Sequence, residues 1–304
     1  FMNKPKIITV VGTTASSKSS LGIELAKIFD GEVVSADSRQ VYKGMDLGTG
    51  KVTEEEIQGV PHHMLDIISP NEPFSVADFQ RMAYPIIDDI IARGKLPIIV
   101  GGTGLYTRAI VEGFSLSECK PDEKLRAELD KKTCEELVKI LHDHGIEDIK
   151  DPQNKRRLVR QIEKIEGGTK EQAESNPRYD VLQLGMTFDR DVLYQRIGER
   201  LDIRINDGMV EEIKGLMDAG ATPEFLESLG LEYRYTYRYL TGKYKDFQEY
   251  HDDLFKHIRH FAKRQVTWFK KEKNIVWLDT KKDYLSEATK LVEDFLKEDD
   301  KENQ

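Results

Sequence analysis

The stretch KIITVVGTTASSKSSLGIELAKIF, residues 6–29, constrains the fold more than any other part of this chain. Residues 6–11 form a β-branched apolar run, Leu21, Leu25 and Ile28 recur at helical spacing, and Gly31 supplies a stop. Strand, short polar loop and helix make the layout of a phosphate-binding loop, G-x-x-x-x-G-K-[ST]. Gly12, Lys18 and Ser19 fit it, and Ser17 stands where the second glycine is usual. The first backbone N–H groups of a helix lack internal partners, and with the helix dipole they attract an anion. Lys18 adds a full positive charge, and the Ser19 hydroxyl suits Mg²⁺. A serine at position 17 costs about 1–2 kcal/mol if the loop needs a left-handed angle there. That weakens phosphate binding without abolishing it. A chance Gly–Lys–Ser spacing in a surface turn fits poorly with a place between a first strand and an apolar-periodic helix.

The next segments extend the alternation. Glu32 to Ser35 reads as a second strand. SVADFQRMAYPIIDDIIARG reads as a helix with Ser75 as N-cap and Asp78 three residues on, a capping-box spacing. Pro85 inside it predicts a kink or a break. Pro97 to Val100 is a buried strand running into the glycine turn GGTGLY, and 179–188 is a late strand that returns to the sheet. Strands alternating with helices give an α/β fold, a P-loop-like parallel sheet with helices on both faces. From about residue 115 the texture turns charged and helical, over 122–166 and again over 189–219. The expected organisation is a P-loop-like α/β core of residues 1–114 and 179–304, closed by C-terminal helices, with a helical insertion at about 115–178. The acidic end KEDDKENQ is expected to fray.

Composition sets outer limits. Hydrophobic residues make up 38% and charged residues 33%, polar but with apolar runs enough for a core. No apolar stretch approaches the roughly 20 residues that span a bilayer, so no membrane segment is expected. Two cysteines, Cys119 and Cys134, lack metal-ligand spacing and point to a reducing, cytoplasmic setting. A net charge of −9 argues against a nonspecific nucleic-acid coat and leaves room for a local basic groove.

Asp37, after the second strand, falls at the carboxyl edge of the sheet with the phosphate loop, where open α/β sheets bind ligands. Two readings stand: Asp37 and Ser38 cap a turn, or Asp37 acts as a general base or orients an attacking group. Thr103 in the glycine turn faces the same edge, as a turn residue or as a hydrogen-bonding contact to a ligand. His62 and His63 are neighbours on an extended segment, so they point to opposite sides and make poor joint metal ligands.

Several segments in order resemble the bacterial tRNA dimethylallyltransferase family, also called tRNA isopentenyltransferases: GTTASSKSSLGIELAK, GEVVSADSRQVYKGMDLGTGKV, GVPHHMLDI, FSVADFQ, PIIVGGTGLY, DPQNKRRLVRQIE, RDVLYQRIGERLD and AKRQVTWFK. They run in family order, and the resemblance covers about residues 6 to 278. The resemblance implies transfer of the dimethylallyl group of dimethylallyl diphosphate to N6 of an adenosine beside the tRNA anticodon, with diphosphate leaving. The loop, Gly12, Thr13, Thr14, Ala15, Ser16, Ser17, Lys18 and Ser19, would then cradle the diphosphate with Mg²⁺, and ATP would be neither required nor hydrolysed. It further implies that Arg200 reaches the diphosphate and that Asp37 takes or orients the N6 proton. Thr103 would touch the target nucleotide, with Ser38, Arg39 and Gln40 beside it.

On the RNA side, the resemblance puts Lys155, Arg156, Arg157 and Arg160 against the anticodon stem-loop; alone, that cluster reads as a solvated helix face. A second basic stretch carries Lys263 and Arg264, where Phe255, Ile258, Phe261 and Ala262 form a stripe read as core. A monomer is expected. Departures from the family pattern are Ser17, Thr13 in place of a common proline, and SLGLEYRYTYRYL at 228–240. The rivals are a prenyltransferase acting on free adenine nucleotide, a P-loop nucleotide kinase, and a tRNA-binding protein without activity. The basic insertion argues against the first and SADSRQVY against the second; the altered loop keeps the third open.

Overall fold

The β-branched run forms β1 (Lys6–Gly12), followed by α1 (Lys18–Ile28), β2 (Gly31–Ser35), α2 (Glu54–Ile57), β3 (His62–His63), α3 (Val76–Ala92), β4 (Leu96–Gly101) and α4 (Gly104–Val111). Three helices come next, α5 (Glu123–Leu129), α6 (Cys134–Asp143) and α7 (Lys155–Glu166). The chain then runs through β5 (Asp180–Met186), α8 (Arg190–Asn206), α9 (Met209–Asp218), α10 (Pro223–Ser228), α11 (Leu231–Leu240), α12 (Phe247–Phe269), β6 (Ile275–Trp277) and α13 (Tyr284–Lys301). The computed structural model describes residues 4–114, 122–149, 151–167 and 175–301, so Cys119 and Gly168 lie outside the described residues. The chain divides into two units: Phe1–Gly113 with Pro177–Gln304, and Phe114–Asn176.

In the larger unit the six strands run in the order β3-β2-β4-β1-β5-β6, and every pairing is parallel. Alternation along the strands divides the core. Ile8, Val10, Ile98 and Val100 pack toward α1 and α13, and Ile7, Val34 and Ile99 pack toward α3 and α4. A third apolar cluster joins α8 to α12 through Leu193, Ile197, Tyr233, Leu254 and Ile258. The sheet order puts β1 between β4 and β5, so the loop after β1 is flanked by the segments leaving both neighbours.

Three local expectations change. Pro85 does not break α3, which runs unbroken from Val76 to Ala92. Pro85 is exposed, so the carbonyl it leaves without an N–H lies where water can satisfy it. Ser75 and Asp78 do form the capping box. Ile28 keeps the helical period yet is 48% exposed at the end of α1. The acidic end is helical through Lys301, after an i,i+4 pair of Glu293 with Lys297. The edge strands β3 and β6 are only two and three residues long, too short to show a period in sequence.

His62 and His63 serve structure. His63 Nε2 lies 2.7 Å from Glu32, and His62 Nδ1 lies 2.8 Å from the Val60 carbonyl. Glu32 is 4% exposed and also receives both guanidinium nitrogens of Arg93, Nη2 at 2.8 Å. Arg93 above all holds the Glu32 carboxyl down at about 2, against the pull of its burial, with His63 assisting. A carboxylate whose folded value lies below its ordinary 4.5 stabilises the fold above that value, and the contribution fades as pH falls from 4.5 toward 2. Glu32→Gln should therefore cost about 2 kcal/mol at pH 7. Urea denaturation should show the gap from the native protein narrowing by pH 3.

In the smaller unit, α5, α6 and α7 close over Leu129, Leu137, Leu141, Leu158, Val159 and Ile162. Buried Glu163 ties this unit together, accepting from Arg126 Nε at 2.6 Å, Arg160 Nη1 at 3.1 Å and the Asp122 backbone N–H at 3.1 Å.

Candidate active site

The carboxyl ends of four strands deliver the polar groups of the larger unit to one edge. β1 leads into the loop 13–17, β2 into Asp37, β4 into Gly102 and Thr103, and β5 through Phe188 into α8. Gly12 is required by contact: a Cβ there would lie 2.2 Å from the Met186 carbonyl oxygen and 2.8 Å from Ser16 Oγ. Ser17 is the N-cap of α1 with φ 62° and ψ 18°, the left-handed angle that favours glycine, and Ala15 has φ 58°. The loop thus keeps the shape that glycine serves, with a serine in it. The backbone N–H groups of Ala15, Ser16 and Ser17 donate to no described residue. The buried hydroxyls of Thr13 and Ser16 have no partner either. A loop with this many unused donors is built to receive an anion.

Cations surround it. Lys18 Nζ donates to the Thr13 carbonyl at 3.1 Å. Burial, then the nearby Arg200, pull the Lys18 ammonium down to about 8, with Asp37 pulling the other way. The Arg200 side chain makes no hydrogen bond to a described residue; burial, then Arg204, lower its guanidinium to about 9. Arg204 Nη1 reaches Glu232 Oε1 at 3.4 Å, and Arg39 Nη1 reaches Glu232 Oε2 at 3.2 Å. Burial works against the charge of Arg39, yet Asp37 and Glu232 together hold it above its ordinary value. Gly50, at φ 63°, leaves room for the arginines, since a Cβ there would lie 1.6 Å from Arg204 Nη2 and 2.5 Å from Arg200 Nη2.

Asp37 Oδ1 accepts the backbone N–H of Arg39 at 2.8 Å and that of Gln40 at 3.4 Å. The turn-capping reading of Asp37 therefore describes one oxygen, and Oδ2 accepts a hydrogen bond from no described residue. Gln40 is held by Ser35 Oγ and the Gly50 carbonyl. Beside this turn a cavity of about 400 Å³ opens, lined by Thr14, Ser38, Arg39, Thr103, Phe261 and Arg264 among others. Thr103 precedes α4 without spending its hydroxyl as a cap. Phe261, read from sequence as core, lines the cavity together with Ile258, which like Ala262 also belongs to the buried helical cluster. Lys263 is exposed on the same helix. Thr14 lines the cavity, but its backbone N–H donates to Gln265 Oε1 at 2.9 Å and is not free for a ligand.

In the smaller unit, Lys155 donates to the Asp130 carbonyl at 2.5 Å, Arg157 pairs with Asp151 at 3.2 Å, and Arg160 pairs with Glu163. Arg156 and Arg157 are exposed.

Sequence reasoning passed over Arg196, Arg204, Glu232 and Gln265. One signal was there to be read: Arg196, Arg200 and Arg204 are spaced by four and share a face of α8. Gln265 had no such signal. It bridges the Thr14 N–H and the Gly102 carbonyl, which lie 251 and 163 residues away in sequence. The divergent 228–240 segment forms α11 with the turn before it. Tyr233 is buried and donates to Glu212 at 2.8 Å, and Glu212 in turn accepts the N–H groups of Asp46, Leu47 and Gly48.

A parallel α/β sheet with an anion-ready loop at its carboxyl edge, ringed by cations and opening on a cavity, defines a phosphate-handling protein of P-loop architecture. The chain matches the family model described as IPP transferase over residues 40–272, and one described as isopentenyl transferase over residues 5–69. It belongs to the IPP transferase family. The tRNA dimethylallyltransferase of Oceanobacillus iheyensis is 42% identical over 303 residues, covering 95% of this chain and 96% of its own. The crystal structure of a full-length tRNA isopentenylpyrophosphate transferase from Bacillus halodurans superposes with a TM-score of 0.75 at 38% identity, covering 99% of each chain. A eukaryotic dimethylallyltransferase captured acting on tRNA gives a TM-score of 0.73 at 29% identity, covering 90% of this chain and 74% of that one.

Proposed function

We propose that this protein transfers the dimethylallyl group from dimethylallyl diphosphate to N6 of the adenosine beside the anticodon of tRNA, releasing diphosphate. The observation that carries the reading is the pairing of two ill-neutralised cations, Lys18 and Arg200, with a loop of unused N–H donors beside a cavity lined by Thr103 and by Ser38 and Arg39 of the Asp37 turn. An allylic diphosphate ionises because its cation is delocalised, so the rate depends on stabilising charge that grows on the departing diphosphate. Lys18, the N–H groups of residues 15–17 and the planar fork of Arg200 meet that charge. Asp37, anchored through Oδ1, presents Oδ2 to the N6 amine and orients it or takes its proton. Mg²⁺ takes few protein ligands beside phosphate oxygens, and Ser19, whose hydroxyl forms no bond to a described residue, fits that donor set. It would neutralise part of the diphosphate charge.

The target adenine must leave its stack to enter the cavity, at a cost of a few kcal/mol. Phe261 supplies an aromatic wall and Arg264 a guanidinium there. Ser38, Arg39 and Gln40 form the turn beside the nucleotide. Arg156 and Arg157, with Lys155 and Arg160, face the anticodon stem-loop, and Lys263 grips phosphate. One chain supplies every group named, which supports action as a monomer. No helix among the described residues is long and apolar enough to cross a membrane. With only two cysteines, the chain suits the cytoplasm, where its tRNA substrate would be met.

Incubation with dimethylallyl diphosphate and either tRNA or free AMP tests the reading. Prenylated tRNA supports it, prenylated AMP alone would replace the substrate, and RNA binding without product would leave a binding protein. Lys18 gives a second test. Its ammonium is lost as pH rises through about 8, and a bound diphosphate favours the charged form. Affinity for an unreactive thiolo analogue of dimethylallyl diphosphate should therefore fall above pH 8, with proton uptake on binding. Calorimetry at pH 8.5 in buffers of different ionisation heat measures both, and binding without proton uptake would remove Lys18 from the diphosphate.

A further inference from the structure

Ser17 holds a left-handed angle in the one loop position where the usual pattern places glycine, and one side chain from a distant helix touches it. Arg196, on α8, donates through Nε to the Ala15 carbonyl at 2.9 Å and through Nη2 to Ser17 Oγ. Ala15 and Ser17 are the two loop residues with positive φ, at 58° and 62°. The guanidinium lies 4.4 Å from the centre of the Phe188 ring, which faces it from the segment after β5. The fork is thus fixed on one side by an aromatic face and on the other by both strained residues of the loop. Arg200, one turn further along α8, makes no such contact and is left for the ligand.

We infer that Arg196 is a positioning residue that holds the phosphate loop in its anion-receiving shape, and that it does so through the serine which replaces the loop glycine. The inference rests on the reading of the loop as a diphosphate site. The hydroxyl that makes position 17 a poor glycine substitute also gives Arg196 a handle that glycine lacks. Gripping Ala15 and Ser17 together keeps the N–H groups of residues 15–17 converging on the ligand, and it draws the Ser17 side chain toward α8 and away from the cradle. Lysine at 196 keeps the charge but loses the planar fork, so it cannot hold both oxygens in that geometry.

The test is a double-mutant cycle on the full chain with Ser17→Gly, Arg196→Lys and the pair. Its readouts are the Kd for inorganic pyrophosphate with Mg²⁺, the KM and kcat with dimethylallyl diphosphate, and the melting temperature of each variant. Arg196→Lys should weaken pyrophosphate about tenfold, the scale of one hydrogen bond from a charged donor. KM should rise by a similar factor and kcat should change less. In the Ser17→Gly background the same substitution should cost about threefold or less, because glycine adopts the loop angle unaided and offers no hydroxyl. Equal losses in both backgrounds would make Arg196 a direct ligand and overturn the inference. So would a lower melting temperature with unchanged pyrophosphate affinity, the mark of a purely structural contact. A native protein that binds no pyrophosphate at all would overturn the reading of the loop itself.

Discussion

Asp37→Asn should lower the rate of dimethylallyl transfer to tRNA by about 10²–10⁴-fold while leaving tRNA affinity within about twofold, the range expected when a general base or orienting carboxylate is lost. Asparagine is the informative replacement. Oδ1 of Asp37 already accepts the Arg39 and Gln40 backbone N–H groups, and an asparagine oxygen can keep both bonds and hence the turn. What disappears is the negative charge and the second oxygen, the part proposed to meet the substrate amine. Asp37→Ala removes the turn anchor as well, so it should lower both turnover and tRNA affinity, since Ser38 and Arg39 line the cavity. Single-turnover transfer and filter binding with the same tRNA separate the two variants. An Asn variant with native turnover would take Asp37 out of the chemistry and leave it as a turn residue.

Arg200→Met should separate activity from stability. The guanidinium lies among Lys18, Arg204 and Arg39 without a hydrogen bond to a described residue, and burial and Arg204 already weaken its hold on a proton. Removing it relieves repulsion, and replacing a buried charge by an apolar chain of similar length is neutral or stabilising, here by about 1 kcal/mol. Transfer should fall about 10²–10³-fold, the usual cost of one electrostatic stabiliser of the transition state. The rise in melting temperature that diphosphate gives the native protein should shrink too. A variant that loses activity together with stability would mark Arg200 as a structural cation.

Much of the architecture can be read from local pattern. The apolar run of β1, the box of Ser75 and Asp78 and the strand before GGTGLY each carry their signal within a few residues. Pro85 misleads because its effect depends on which side of α3 it occupies, and that depends on the sheet beneath. The polar site divides in the same way. Lys18, Ser19, Asp37 and Thr103 lie in the turns and helix starts that follow strand ends, so order along the chain puts them on one edge. Gln265, Glu232 and Arg196 reach that edge from helices far along the chain, and no local pattern states that α8 and α12 fold back over β1. The left-handed angle of Ser17 follows from the loop pattern, but the arginine that meets it does not.

The phosphate loop is suspended between two late helices, with Gln265 of α12 holding Thr14 and Arg196 of α8 holding Ala15 and Ser17. The first hundred residues are consequently not a portable nucleotide-type module. Grafted elsewhere, or expressed alone, they would carry the sequence of the loop without the two struts that shape it. Redesign of this site has to treat the opening turn and the closing helices as one working part.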